Sequence, residues 1–200
     1  MLRLPLERVT LAGAHVTLEP LGTQHLPDLA LVALDEELWQ WTVARVRTPA
    51  ELAAYVDAAL DEQRRGLSLP FAIVAGGSAV GSTRFGNVDG HNRRVEIGWT
   101  WVGRPWQRTA VNSEAKLLLL RHAFESLGCV RVELKTDALN ERSRAAIRRL
   151  GAVEEGSFRR HLLTESGRWR DTVYYSILDD EWPAVRSGLE KRLAARRGAV

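Results

Sequence analysis

The stretch VEIGWTWVGRPWQRTAVNSEAKLLLLRHAFESLGCVRVELKTDALNERSRAAIRRLG, Val95 to Gly151, decides the fold. Its first part, VEIGWTWV (95–102), alternates and is rich in β-branched and aromatic residues, which suits a strand. The following GRPWQRTAVN (103–112) has no period and contains Gly103 and Pro105, the mark of a loop. Ala115, Leu118, Leu119, Ala123 and Leu127 then share one helical face, which Gly128 closes. Alternation returns with Val130, Val132 and Leu134, predicting a second strand, and ALNERSRAAIRRLG reads as a short loop and another helix. The first loop therefore ends at a helix N-terminus, where backbone N–H groups lack partners and the helix dipole is positive. Such a corner is ready for a pyrophosphate. In Gln107-Arg108-Thr109-Ala110-Val111-Asn112, small residues fall where a phosphate needs the backbone to come close, and Arg108 can add a screened charge.

Outward from this assembly, Val16–Leu21 reads as a short strand, and Gln24–Ala33 and Pro49–Arg65 as helices. Leu52, Tyr55, Val56 and Leu60 form one face of the latter. Leu69–Val74 and Ala79–Arg84 form a hairpin around Gly76-Gly77. A second hairpin joins Val153–Leu163 to Trp169–Leu178 across Glu165-Ser166-Gly167. A closing helix, about 181–197, carries Trp182, Val185, Leu189 and Leu193 at helical spacing, with Asp179 or Asp180 as cap and Pro183 in its first turn. No linker or repeat interrupts the chain. The expectation is one α/β domain over residues 1–200, with a core of about 16–180 and a mainly antiparallel sheet of about 6–7 strands flanked by helices.

Composition narrows the function. A hydrophobic content of 45% is ample for a core, and the single cysteine, Cys129, excludes a disulfide framework. Cys129 opens an apolar strand and reads as a buried small hydrophobe. The beginning MLRLPLERVT has no long apolar stretch, and the longest aliphatic run, Leu117–Leu120, is too short to cross a bilayer. A cytoplasmic protein without membrane association is expected. Among the 28 basic residues 25 are arginines, but they are scattered and 25 acidic residues are interleaved with them, so nucleic-acid binding is not expected. The dense cluster Lys191–Arg197 reads as a solvated helix face. His15, His25, His91, His122 and His161 show no metal-ligand spacing, no metal is expected, and His122 is expected at the surface.

The central assembly resembles the GNAT superfamily of acetyl-CoA-dependent N-acetyltransferases, within it the branch that includes the ribosomal-protein N-terminal acetyltransferases. That family's pyrophosphate loop reads Gln/Arg-x-x-Gly-x-Gly/Ala, and Gln107, Ala110 and Asn112 occupy those positions. RFGNVDGHNRRVEIGWTWV (84–102), VNSEAKLLLLRHAFE (111–125) and Asn140-x-x-Ser143 before Leu150-Gly151 are similar to this branch too, and weaker likeness runs from about Val16 to Trp182. Both small positions depart from the usual glycines. Asn is the non-glycine residue best tolerated at positive φ, and Asn112 could also cap the helix.

The resemblance implies a sheet splayed at the donor site and acetyl-CoA as co-substrate, bound by Trp101, Val102, Gln107, Arg108, Thr109, Ala110, Val111, Asn112, Asn140 and Ser143. It also implies transfer to a primary amine, on a protein N-terminus or a small molecule, by direct attack in a ternary complex. The alternative is a protein that keeps an acyl-CoA pocket without turnover. Glu96, on the strand before the donor loop, is the candidate base, because an alkylammonium with a pKa near ~10.4 must lose a proton before it attacks. The other reading of Glu96 is a pair with Arg84, Arg93 or Arg94. Backbone amides at Trp101–Val102 are expected to meet the oxyanion. Asn140 is expected at the pantetheine amide and Ser143 at the departing thiolate, or either as a helix cap. On the acceptor side Trp39, Trp41 and Arg84, with Tyr174 and Tyr175, are candidate lining residues, ordinary packing being the other reading of the tryptophans. A homodimer is left open.

Overall fold

A computed structural model describes residues 2 and 4–197, with side chains through residue 195. Residues 1, 3 and 198–200, which close the expected 1–200 domain, lie outside the described residues, as do the side chains that end the Lys191–Arg197 cluster. One sheet of eight strands organises the chain in the order β1-β2-β3-β4-β5-β6-β8-β7. The strands are β1 (Leu11–Ala12), β2 (Thr17–Pro20), β3 (Leu69–Ala75), β4 (Ser78–Asp89), β5 (Arg94–Val102), β6 (Arg131–Asp137), β7 (Val153–Leu163) and β8 (Trp169–Leu178). Every neighbouring pair is antiparallel except β5 and β6. The two-residue β1 is the strand beyond the seven that periodicity could find. The helices are α1 (Leu26–Ala33), α2 (Pro49–Arg64), α3 (Ala110–Arg121), α4 (Glu141–Leu150) and α5 (Trp182–Arg197).

Local chemistry explains the boundaries. Thr48 accepts from the N–H of Glu51 (3.2 Å) and the Glu51 carboxylate reaches back to the N–H of Thr48 (3.2 Å), a capping box with Pro49 inside it. Gly76 and Gly77 take φ 61° and 85°, the left-handed pair that a two-residue hairpin turn requires. The helix expected to run to Gly128 becomes a π turn at His122–Ser126 after α3. Its backbone bonds include Leu127 N–H to the His122 carbonyl, 2.9 Å. His122 is half-buried there against Phe85, 6.1 Å between rings, so the surface position expected for it is corrected, and burial lowers its pKa. Cys129 is buried as expected, which pushes its thiol up to about 11.

The two sheet faces carry separate cores. Val95 and Ile97 of β5, Val132 and Leu134 of β6, and Val173, Tyr175 and Ile177 of β8 pack with α3 and with Val185, Leu189 and Leu193 of α5. Leu119 and Leu120 of α3 are fully buried, each contributing roughly 2 kcal/mol. On the other face Leu29 and Ala33 of α1 meet Leu52, Val56 and Ala59 of α2 over Ala72, Ala79 and Trp101. Strand alternation thus turns Glu96, between Val95 and Ile97, away from the α3 core. A buried carboxylate on α3, Glu114, accepts the N–H groups of Ala14 (3.0 Å) and Val16 (2.8 Å) and pins the β1–β2 turn to the helix.

Candidate active site

β5 and β6 share only three rungs, Arg94↔Arg131, Val95↔Val132 and Glu96↔Glu133. Beyond Glu96 they part. β6 stays with β8 through Asp137↔Thr172, while β5 bends at Trp99, whose φ is 51°, where its register against β4 shifts. Two parallel strands that separate in mid-sheet leave backbone edges facing each other without a ladder, and such edges call for another hydrogen-bonding partner. Gly103 donates to the Val80 carbonyl on the β4 side (2.8 Å). By alternation the Val102 amide and carbonyl face the cleft, while the Trp101 amide, expected beside it, turns to β4. The Trp101 ring packs against Trp39, 5.4 Å between centroids.

One corner of the cleft is built by the loop into α3. The Gln107 side-chain amide donates to the Val102 carbonyl (2.9 Å), and Arg142 of α4 donates to the Gln107 amide oxygen (2.9 Å). Those two bonds tie the starts of α3 and α4 to the end of β5. Thr109 is the N-cap of α3. Its hydroxyl accepts from the N–H of Val111 (3.2 Å) and donates to the Trp106 carbonyl (2.6 Å). The capping role open to Asn112 falls to Thr109 instead: Asn112 lies within the first turn, and the positive φ in the loop, 62°, belongs to the exposed Arg108. A threonine immediately before the helical run is the signal that could have found it. Ala110 and Asn112 follow with their N–H groups at the positive end of the helix, and the buried Asn112 Oδ1 has no partner among the described residues. Amides and an arginine suit the oxygens of a diphosphate, and the orphaned oxygen suits a donor beside them.

At the start of α4, Asn140 accepts from the N–H of Ser143 (3.0 Å) and is the N-cap. The capping reading of Asn140 therefore holds for its oxygen, and its Nδ2 has no hydrogen bond among the described residues. The half-buried Ser143 hydroxyl likewise has none. A left-handed Gly151, φ 102°, ends the helix.

Glu96 forms the floor. It is buried, and none of the three arginines expected beside it is its partner. Arg84 pairs with Glu62 (2.8 Å), Arg93 donates to the Gly128 carbonyl (2.8 Å), and Arg94 binds Glu133 (3.0 Å). Glu96 instead accepts from the Lys135 ammonium (2.8 Å) and from the Asn87 amide. Lys135 also lies 3.6 Å from Glu133 and over the Tyr174 ring, 4.5 Å from its centroid. Burial pulls the Lys135 pKa down, but the Glu96 hydrogen bond and charge outweigh it, so it is held above the usual lysine range. Periodicity carries no mark of this cage, because Lys135 and Tyr174 meet only through the β6–β8 register.

The other acceptor candidates scatter. Trp39 is buried and donates from its indole to the Ala33 carbonyl (2.7 Å), a packing role. A groove of about 490 Å³ between residues 36–45 and 164–166 runs along it. Trp41 lies under the Arg168 guanidinium (5.7 Å), and Arg168 pairs with the buried Asp137. Arg84 is clamped between Trp99 (4.9 Å) and Tyr55 (5.5 Å). Tyr175 faces the opposite side, its hydroxyl donating to Glu154 (3.0 Å), and so lies outside the cleft where it was expected. Among the described residues no helix is long and apolar enough to cross a membrane.

The sheet opens beyond Glu96, and two helix starts are tied together at its rim. The profile described as "Acetyltransferase (GNAT) domain" matches residues 15–153, and the chain belongs to that family of N-acetyltransferases. It is 32% identical over 175 residues to the Bacillus subtilis (strain 168) protein called "Putative ribosomal N-acetyltransferase YdaF", covering 84% of this chain and 93% of that one. A GCN5-related N-acetyltransferase from Brucella melitensis superposes with a TM-score of 0.88 at 32% identity, over 96% of this chain and 88% of the other. Mycobacterium smegmatis RimJ, solved in complex with CoA-disulfide, superposes with a TM-score of 0.79 at 26% identity, over 96% and 95%.

Proposed function

We propose that this chain transfers the acetyl group of acetyl-CoA to a primary amine, a protein N-terminus in the first place, by direct attack in a ternary complex. The observation that carries the reading is the position of Glu96 on the last rung that β5 and β6 share, where the cleft between them begins. The name of the Bacillus subtilis relative refers to ribosomal N-acetylation, which favours a peptide amine over a small polyamine as acceptor.

Acetyl-CoA supplies an activated acyl group, and the chain's residues do the rest. The first-turn amides of α3 and the Arg108 guanidinium hold the diphosphate. Asn140 Nδ2 and the cleft-facing edges of β5 and β6 take the polar groups of the pantetheine arm. Glu96 accepts the proton of the incoming ammonium, directly or through water, while Lys135 keeps the carboxylate oriented. The Val102 amide donates toward the oxygen of the tetrahedral intermediate, a kind of contact that contributes ~2.7–4 kcal/mol to the barrier. Ser143 donates a hydrogen bond toward the departing sulfur.

The test is thiol release from acetyl-CoA against a panel of peptides with free N-termini, lysine derivatives and polyamines, with product masses recorded. Peptide-dependent release and a mass gain of one acetyl group are expected. Coenzyme A binding without release across the panel would leave only a carrier. Replacing Glu96→Gln should lower the rate by roughly a hundredfold near neutral pH and much less at high pH, where the amine deprotonates unaided. A loss independent of pH would remove Glu96 as the base.

A further inference from the structure

We propose that Arg170 and Thr172 form a subsite for the acceptor that takes a carboxylate carried close to the reacting amine. This rests on the acetyl-transfer reading for the place of the amine beside Glu96.

Along β8, Arg170, Thr172 and Tyr174 alternate onto one face, and the register sets Thr172 opposite Asp137 and Tyr174 opposite Lys135. That is the face of Lys135 and Glu96. Arg170 is 9% exposed and Thr172 1%, yet Arg170 Nε and Thr172 Oγ1 are both buried without a hydrogen-bond partner. Arg170 also makes no ion pair among the described residues. The nearby acids are engaged elsewhere, Glu96 with Lys135 and Asp137 with Arg168. Burial depresses the Arg170 pKa, and the more distant charges of Asp137 and Glu96 offset this only in part.

A buried cation and a buried hydroxyl, two residues apart and both unsatisfied, are costly in isolation, and an incoming anion relieves both. The planar guanidinium fork matches a carboxylate, and the threonine hydroxyl can donate to one of its oxygens. With the acceptor's ammonium at Glu96 and its carboxylate at Arg170, charge is complementary at both ends. Two sources present this chemistry: the α-carboxylate of a free amino acid, or an acidic side chain beside the N-terminus of a peptide.

Calorimetry in the presence of coenzyme A with alanine against alaninamide, and with Ala-Asp-amide against Ala-Asn-amide, separates them. In one pair the carboxylate member should bind about tenfold more tightly, and the pair that discriminates names the source. Arg170→Gln should abolish that discrimination while leaving the neutral member's binding unchanged and the melting temperature at or above the parent's. Should that variant not fold, Thr172→Val, which removes one donor and keeps the shape, should reduce the discrimination several-fold. Equal binding within both pairs, or an equal loss for both members on substitution, would overturn the subsite. Acetylation of the same four compounds is followed in parallel. Transfer without discrimination removes the subsite alone, whereas discriminated binding with no transfer to any amine supports the subsite and removes the acetyl-transfer reading.

Discussion

At the scale of single residues, two lysines carry consequences that composition does not suggest. Lys135 stands between Glu96 and the Tyr174 ring. Lys135 holds the Glu96 carboxylate in place, so Lys135→Met should lower kcat by roughly tenfold while the KM for acetyl-CoA stays unchanged. An unchanged kcat would make Lys135 a packing residue. Lys116 of α3 is the other. It is buried, its ammonium donates to the Thr100 hydroxyl (2.7 Å), and burial lowers its pKa to about 7. The unfolded chain keeps that proton to about pH 10.4, so between the two values it binds one proton more than the folded chain, and stability rises with pH. The penalty is therefore full below about pH 7 and gone above about pH 10, about 5 kcal/mol at roughly 1.4 kcal/mol per unit. Urea unfolding of Lys116→Met should show a variant more stable than the parent near about pH 6, with the gap closing toward about pH 10. A gap that does not change with pH would place the ammonium in water.

Elements were legible where local chemistry alone fixes them. The hairpin 153–163 and 169–178 has its expected bounds, and the expected α2 ends one residue early, because turn residues and the Thr48–Glu51 box are complete within the segment. The sequence predicts that strand β4 ends at Arg84, yet it continues to Asp89. Gly86 and Asn87 look like breakers, but Asn87 at φ 45° forms an irregularity in a ladder that β5 keeps on both sides of it. Thr109 and Asn140 each hold a helix start at the cleft, so cap loss acts on both stability and binding. Thr109→Ala and Asn140→Ala should each cost about 1 kcal/mol in urea unfolding. Asn140→Ala should in addition weaken coenzyme A in calorimetry, since its Nδ2 disappears with the cap. Equal affinity for parent and Asn140→Ala would confine Asn140 to capping.

For the whole molecule, sequence periodicity conveys a mixed sheet with helices, and the resemblance carried by Gln107–Asn112 and Asn140–Ser143 implied where it opens. What no single segment contains is which strand lies beside which. The Lys135–Glu96 pair, the Asp137–Arg168 pair and the unsatisfied Arg170 all arise from bringing β5, β6 and β8 together, over separations of 30 residues or more in the chain. The arginines of the other reading of Glu96 are close in sequence and bonded elsewhere in space. The central claim is that the opening beyond Glu96, rimmed by the starts of α3 and α4, holds coenzyme A. Hydrogen–deuterium exchange with and without coenzyme A tests it most directly. Slowed exchange confined to residues 97–113 and 134–144 is the predicted result. Protection along residues 36–45 and 164–166, or no change at residues 107–113, would contradict it.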